Sequence, residues 1–116
     1  MPATLTVVRR HALALPEVTE RLCYGTPGFY VRKKLMLRMW EDGETLVCKL
    51  PMKLREQLID ETPDVFSVTD HYRNYPAILI NLNAIKESVL KERIAVAWRE
   101  VAPAKLIALH PNLQAP

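Results

Sequence analysis

Glycine and cysteine are scarce in this chain, which has 3 glycines and 2 cysteines among 116 residues. It contains no glycine-rich loop of the kind that cradles a phosphate, neither Gly-x-x-x-x-Gly-Lys nor Gly-x-Gly-x-x-Gly. Cys23 and Cys48 lie far apart and form no Cys-x-x-Cys pair. Two isolated thiols are typical of a reducing compartment rather than of a disulfide scaffold, so we expect a cytoplasmic protein.

Metal-ligand patterns, catalytic motifs and long apolar runs are also lacking. The three histidines, His11, His71 and His110, have no metal-ligand spacing and no carboxylates clustered with them, so we expect no metal and no cofactor. There is no Gly-x-Ser-x-Gly, and His71 has no acid–base partner at usable spacing, which favours a binding protein over an enzyme. No apolar run approaches the roughly 18 residues of a membrane span, and no basic stretch precedes an apolar one as in a signal peptide.

What is present indicates one globular domain over residues 1–116, with 49% hydrophobic and 25% charged residues. We expect a monomer. The net charge of +3 is unevenly spread: residues 1–40 hold seven Lys/Arg and two Asp/Glu, whereas residues 41–80 hold four and eight. A pI near 9.0 permits nucleic-acid binding, although a solvated basic face explains it equally well.

Apolar spacing and turn residues predict an α+β fold. Leu5, Val8 and Ala12 recur at helical spacing after a Thr4 N-cap, which predicts a first helix ending at Pro16. Further helices are predicted at 52–60, 86–102 and 104–109, strands at 29–32, 35–40, 46–50, 65–68 and 77–82, and a frayed tail at 111–116. Sequential strands joined by short turns favour a mainly antiparallel sheet with helices packed on one face.

Alternation along the strands predicts which side chains share a face. Leu35, Leu37 and Met39 would point to one face, and Met36, Arg38 and Trp40 to the other. Asp42-Gly43 predicts a hairpin, across which Lys49 would neighbour Arg38. In the long third helix, Leu90, Ile94, Trp98 and Val101 form a stripe that we expect to face the sheet.

The segment 68–76 concentrates side chains that could bind a ligand. It carries His71, Tyr72, Arg73, Asn74 and Tyr75 directly before a predicted strand. Tyrosines can stack on bases and an arginine can hold a phosphate, but the same tyrosines could simply pack on neighbouring strands with bonded hydroxyls. We expect Tyr75 to be structural, and Tyr72 and Arg73 to be exposed.

A second candidate is the cluster of cations Arg32, Lys33 and Lys34, the basic turn, at a predicted hairpin tip. Such a tip could reach a phosphate backbone, with Arg38 and Lys49 extending the same positive surface. The alternative is that these charges only keep the tip soluble and guard a sheet edge.

Four segments together resemble the signature of the MmcQ/YjbR family of small bacterial proteins. They are the 68–76 loop, Tyr24-Gly25-Thr26-Pro27, the hairpin at 40–46 and the segment 98–103, and the resemblance extends over about 5–110. It implies a CyaY-like (frataxin-like) arrangement, also described as a double wing, and DNA binding. The first helix carries Arg9, Arg10 and His11 rather than an acidic ridge, so frataxin iron chemistry does not carry over.

Two binding functions remain open from the sequence. In the first, a DNA-binding protein, Arg32, Lys33, Lys34, Arg38 and Lys49 hold phosphates while His71, Tyr72 and Arg73 form an aromatic and basic platform. In the second, a protein-interaction or small-ligand module, the ligand binds the sheet face around Tyr24, Thr26, His71 and Tyr75. A closed apolar pocket beside His71 would favour a small ligand, and positive and negative surface on opposite sides of the fold would favour nucleic acid.

Overall fold

The structure is a computed structural model that describes residues 3–111, and within them the chain forms one six-stranded sheet and four α-helices. The strands are β1 (Val18–Cys23), β2 (Thr26–Val31), β3 (Lys34–Met39), β4 (Thr45–Lys49), β5 (Phe66–Ser67) and β6 (Ala77–Asn81). The helices are α1 (Leu5–Leu13), α2 (Met52–Glu61), α3 (Glu87–Val101) and α4 (Ala104–Leu109). The predicted tail lies outside the described residues from 112 onward.

The sheet runs in the order β1-β2-β3-β4-β6-β5, and every neighbouring pair is antiparallel. The predicted α+β class with an antiparallel sheet is therefore confirmed. Strand β1 was not predicted because Thr19, Glu20 and Arg21 leave it without an apolar alternation. An edge strand needs little apolar surface, and β1 is largely exposed or half-buried along its length.

The main core lies between α1, α3 and one face of the sheet. Leu90, Ile94 and Trp98 of α3 are almost completely buried and pack in one cluster with Val8 and Ala12 of α1. The Trp98 Nε1–H donates a hydrogen bond of 2.9 Å to the carbonyl of Pro16 at the end of the first helical segment. The predicted α3 stripe is confirmed, with Val101 half-buried against the same cluster.

A β-bulge corrects the predicted alternation of β3. Phe29 pairs with Leu37 while Tyr30 pairs with Leu35, so Met36 is the extra residue of the bulge. Met36 was predicted to share a face with Arg38, but it is fully buried in the main core beside Leu37. The prediction was wrong here because a bulge interrupts the period of two on which it rested.

The opposite face of the sheet carries no helix within residues 3–111 that packs on its centre. Its small apolar cluster consists of Val47, Ala77 and Leu79, with Trp40 and Tyr72 packed against it. Tyr72 belongs to a short 3₁₀ turn at Asp70–Tyr72, which brings the 68–76 loop over this face. The loop packs on part of the face, and the candidate site lies where the loop, the end of β3 and the β1–β2 turn meet.

Candidate functional site

The open face of the sheet contains a groove of about 470 Å³, which we call the aromatic groove. Its lining residues come from the β1–β2 turn, the end of β3 and the 3₁₀ turn, and they are Tyr24, Arg38, Trp40, Glu41, His71 and Tyr72. The volume falls within the range of about 300–1,000 Å³ that is usual for small-molecule sites. Three elements far apart in the chain thus build one concave surface.

Arg38 forms the floor of the aromatic groove and is only 6% exposed. Its guanidinium donates to the hydroxyl of Tyr72 at 3.2 Å and to the carboxylate of Glu41. Among residues 3–111, no acceptor meets its Nε–H, which is itself screened from solvent. An unpaired buried N–H costs about 1–3 kcal/mol. A ligand that accepted a hydrogen bond from the Arg38 Nε–H would remove this cost.

Tyr24 stands at the rim of the groove in an unusual backbone conformation. Tyr24 and Gly25 both have positive φ, 53° and 79°, in the two-residue turn between the paired residues Cys23 and Thr26. Such a hairpin turn favours Asn-Gly, and a bulky residue at positive φ is uncommon. The Tyr24 ring is 90% exposed and its centroid lies 5.6 Å from the Arg38 Cζ. Burial in the core therefore does not account for an aromatic residue here.

The histidine and the first tyrosine of the 68–76 loop form the other side of the groove. Tyr72 is half-buried on the small apolar cluster, and the His71 ring meets it edge-on at 4.7 Å between centroids. Tyr75 is 54% exposed and does not line the groove. The expected roles of the two tyrosines are thus reversed, because Tyr72 turns inward onto the sheet. Arg73 is exposed as expected and pairs with Asp70 at 2.6 Å.

Arg55 of α2 fixes the position of this loop, a role that no sequence pattern indicates. Its buried guanidinium donates to four backbone carbonyls, those of Tyr72 (3.0 Å), Arg73 (2.8 Å), Tyr75 (2.9 Å) and Ala77 (3.3 Å). An arginine in a short amphipathic helix is ordinarily read as exposed. Only the approach of the loop to α2 shows that Arg55 holds it.

The basic turn lies apart from the aromatic groove. Arg32, Lys33 and Lys34 line a different cavity of about 260 Å³, together with Val101 and Pro103 on the helical side. The Arg32 Nε–H donates to the Glu17 carboxylate at 2.7 Å, and this hydrogen bond holds the pKa of Glu17 below its usual value. Lys33 and Lys34 are exposed and make no ion pair within residues 3–111.

The other predicted residues serve the turns and strands. Thr26 donates its hydroxyl to the Cys23 carbonyl at 2.8 Å and closes the β1–β2 turn. Lys49 is half-buried, and in the strand register it lies opposite Ala77 of β6. The residue opposite Arg38 is Val47, so the expectation that Lys49 neighbours Arg38 across the hairpin was wrong. Sequence reasoning did not assign Trp40 and Glu41 to the site. The alternation Arg38, Trp40 was the available signal for the first of them.

The described part of the chain has neither a membrane-spanning helix nor a group of metal-ligating side chains. Across residues 3–111, no helix has the length and apolar character needed to cross a bilayer. The same residues bring no three His, Cys, Asp or Glu side chains together in a group that could hold a metal ion.

Known proteins that are similar to this chain include partial relatives from mycobacteria and a solved structure. Uncharacterized protein Rv2570 of Mycobacterium tuberculosis and uncharacterized protein Mb2600 of Mycobacterium bovis are each 40% identical over 50 residues, which is 43% of this chain. The matched part spans 39% of the length of these relatives. The crystal structure of Deinococcus radiodurans protein DR2400, a DUF419 domain, is similar with a TM-score of 0.75 at 18% identity, covering 98% of this chain and 90% of that one.

The TM-score of 0.75 at 18% identity shows that the two chains share a fold. The model of the family described as YjbR matches residues 13–100, a span that includes the β1–β2 turn, the end of β3 and the 68–76 loop. The chain therefore belongs to the YjbR family.

Proposed function

We propose that this protein is a small non-enzymatic binding protein whose ligand occupies the aromatic groove. The observation that carries the proposal is the combination of aromatic walls with one buried, incompletely bonded arginine at the floor. Small-molecule sites are usually concave and mostly apolar, with few polar groups that fix orientation. The groove has that composition, and it favours the small-ligand alternative over phosphate binding by the 68–76 loop.

The charges around the groove support the same choice. Arg38 is paired with Glu41, and Arg73 is paired with Asp70. A phosphate backbone laid across this face would meet both carboxylates, which weaken its attraction to the arginines. A planar uncharged group avoids this repulsion and gains contact with the rings of Tyr24 and Trp40.

Titration of planar fragments into ¹⁵N-labelled protein tests the groove. We expect amide shifts clustered at 24–25, 38–41 and 71–72. The variant Tyr24→Ala should weaken binding about tenfold, since stacking on one aromatic contributes roughly 1–3 kcal/mol. The matched control Leu22→Ala removes another exposed large side chain of the same hairpin that does not line the groove, and it should bind as the wild type does. Shifts confined to residues outside the groove would overturn the proposal.

A second candidate is duplex DNA bound at the basic turn, supported by the two exposed lysines Lys33 and Lys34 that have no ion pair within residues 3–111. Arg32 contributes less because Glu17 neutralises it, and Arg38 is buried. We therefore expect binding that is weak and strongly dependent on salt.

Fluorescence anisotropy of a labelled duplex at several salt concentrations tests this candidate. Replacing both Lys33 and Lys34 by alanine should reduce the slope of log K against log salt by about 1.8, which corresponds to about 0.9 for each phosphate contact. The control Lys53→Ala plus Lys91→Ala removes the same charge from exposed positions on α2 and α3. Equal losses in both double variants would show that only net charge matters and would rule out a site at the turn.

A further inference from the structure

We infer that the ligand of the aromatic groove is a nucleobase, a planar heterocycle with a hydrogen-bond acceptor and a donor side by side on one edge. The inference rests on the proposal that the groove is the binding site. It extends that proposal from an unspecified planar ligand to one chemical class. The Arg38–Glu41 pair on the floor and the aromatic rings at the walls support this assignment.

The floor offers one donor and one acceptor next to each other. Arg38 has an Nε–H that meets no acceptor among the described residues, although its other two nitrogens are bonded to Tyr72 and Glu41. The Glu41 side chain is 57% exposed, so its carboxylate can accept a further hydrogen bond. Because both groups belong to one ion pair, a complementary ligand edge must carry an acceptor beside a donor.

Nucleobases carry such edges. Adenine has the N7 acceptor next to the N6 amino donor, which matches the Arg38 Nε–H and the Glu41 carboxylate in turn. Arginine and glutamate are among the side chains that read base edges in this way. The paired charges of Arg38 and Glu41 cancel, and this favours an uncharged ring over a carboxylate or phosphate, which Glu41 would repel.

The walls provide stacking surfaces for a base. Tyr24 is 90% exposed at the rim, and Trp40 is half-buried beside it in the lining. Every base has a π-face, so stacking on such rings is strong and tolerant of base identity. The Arg38 Nε–H is screened from solvent, so an acceptor reaches it only when a neighbouring side chain moves. Tyr24 and Glu41 are two such neighbours of the Arg38 guanidinium, and both are exposed, which leaves them room to move.

Adenosine and purine riboside form the decisive pair of probes. Purine riboside keeps the ring and its acceptors but lacks the amino donor that would meet Glu41. Both are titrated into the ¹⁵N-labelled protein and followed by NMR. Adenosine should shift the amides of the groove and bind about tenfold more tightly than purine riboside, a ratio equivalent to about 1.4 kcal/mol.

Variants of two glutamates in the same hairpin distinguish a specific contact with Glu41 from an effect of net charge. Glu41→Gln replaces one carboxylate oxygen by an amide donor and removes the charge, so it should lower the preference for adenosine over purine riboside. The control Glu44→Gln removes an exposed carboxylate of the same hairpin that does not line the groove, and it should preserve the preference. If Glu41→Gln does not fold, the comparison of the two nucleosides on the wild-type protein still decides the question.

A third arm distinguishes the two sources of a base. An oligo(dA) single strand and the matching duplex are titrated beside adenosine. Tighter binding of the single strand than of adenosine, with the duplex not entering the groove, assigns the base to single-stranded nucleic acid. Equal affinity of adenosine and the single strand per base assigns it to a free nucleoside.

One set of results would overturn the nucleobase assignment alone, and another would overturn the groove as a ligand site as well. Equal binding of adenosine and purine riboside in the groove, unaffected by Glu41→Gln, would overturn the nucleobase edge while leaving the groove as a ligand site. The absence of groove shifts with every nucleoside, single strand and planar fragment would overturn both.

Discussion

At the scale of single residues, Arg55 connects the fold to the candidate site. Its guanidinium lies beneath the 68–76 loop and donates to four backbone carbonyls, of which those of Tyr72 and Tyr75 also accept from the backbone N–H groups of Tyr75 and Ala77. Glu56 accepts from its Nε–H at 3.0 Å. This buried cation fixes the backbone of the loop, and thereby the positions of His71 and Tyr72 at the groove.

Replacing Arg55 by methionine should therefore destabilise the protein and loosen the groove. We expect a loss of about 3 kcal/mol in the free energy of unfolding, because hydrogen bonds to a charged group contribute roughly 1.5–3 kcal/mol and the buried Arg55 guanidinium makes several of them. Urea unfolding measures the loss. The control Arg73→Ala removes an exposed arginine of the loop and should change stability by less than about 0.5 kcal/mol. A small effect of Arg55→Met would show that water replaces the guanidinium.

At the scale of elements, α3 is the helix that organises the sheet. It packs on β3 and β4 at the centre of the sheet and on α1 beside it. Trp98 joins these parts, since its ring is fully buried and its Nε1–H reaches the carbonyl of Pro16 where the chain leaves α1 for β1. The strand β1, which carries the Tyr24 turn, is thus tied to the core through α3.

Two substitutions of Trp98 separate packing from hydrogen bonding. Trp98→Ala should cost about 3–5 kcal/mol, the usual loss for a buried tryptophan. Trp98→Phe keeps most of the apolar ring and removes the Nε1–H, so it should cost about 1–3 kcal/mol by leaving the Pro16 carbonyl unpaired. Thermal or urea unfolding measures both. Equal losses in the two variants would show that the hydrogen bond, rather than packing, dominates at this position.

At the scale of the whole molecule, ion pairs join elements around the periphery of the core. Glu20 of β1 accepts from Arg9 of α1 at 2.6 and 2.9 Å, and Glu87 of α3 lies 2.7 Å from the Nε2 of His11 on α1. The hydrogen bond from Arg9 lowers the pKa of Glu20, and the bond with His11 lowers the pKa of Glu87. A carboxylate with a lowered pKa stabilises the fold above its unfolded pKa and loses that contribution as pH falls through the folded value.

The free energy of unfolding should therefore decrease as pH drops below about 4.5, the ordinary pKa of these carboxyls. Glu20→Gln and Glu87→Gln should each make the decrease less steep, because the substituted side chain no longer takes up a proton. The effects should be modest, since both pairs are partly solvated. Urea unfolding from pH 3 to pH 7 is the measurement. Glu100→Gln, an exposed site without an ion pair in residues 3–111, should leave the slope unchanged.

Local patterns in the sequence were enough to predict every α-helix of residues 3–111, most of the strands and much of the core, whereas β1 was missed. The spacing of Leu90, Ile94 and Trp98 defined the buried side of α3, and Asp42-Gly43 marked the β3–β4 hairpin. These features are encoded locally, in a helical period of 3.6 and in turn residues that tolerate positive φ. The sequence also predicted four of the residues that line the groove as candidate binding residues: Tyr24, Arg38, His71 and Tyr72.

Which of these side chains meet depends on the tertiary fold. The bulge at Met36 moves one residue to the core, and the loop over the open face turns Tyr72 inward and leaves Tyr75 outside. The fold also places the basic turn away from the aromatic groove. The physical reason is that strand register and loop placement depend on contacts between distant segments, such as those of Arg55 with the loop carbonyls, which no local pattern records.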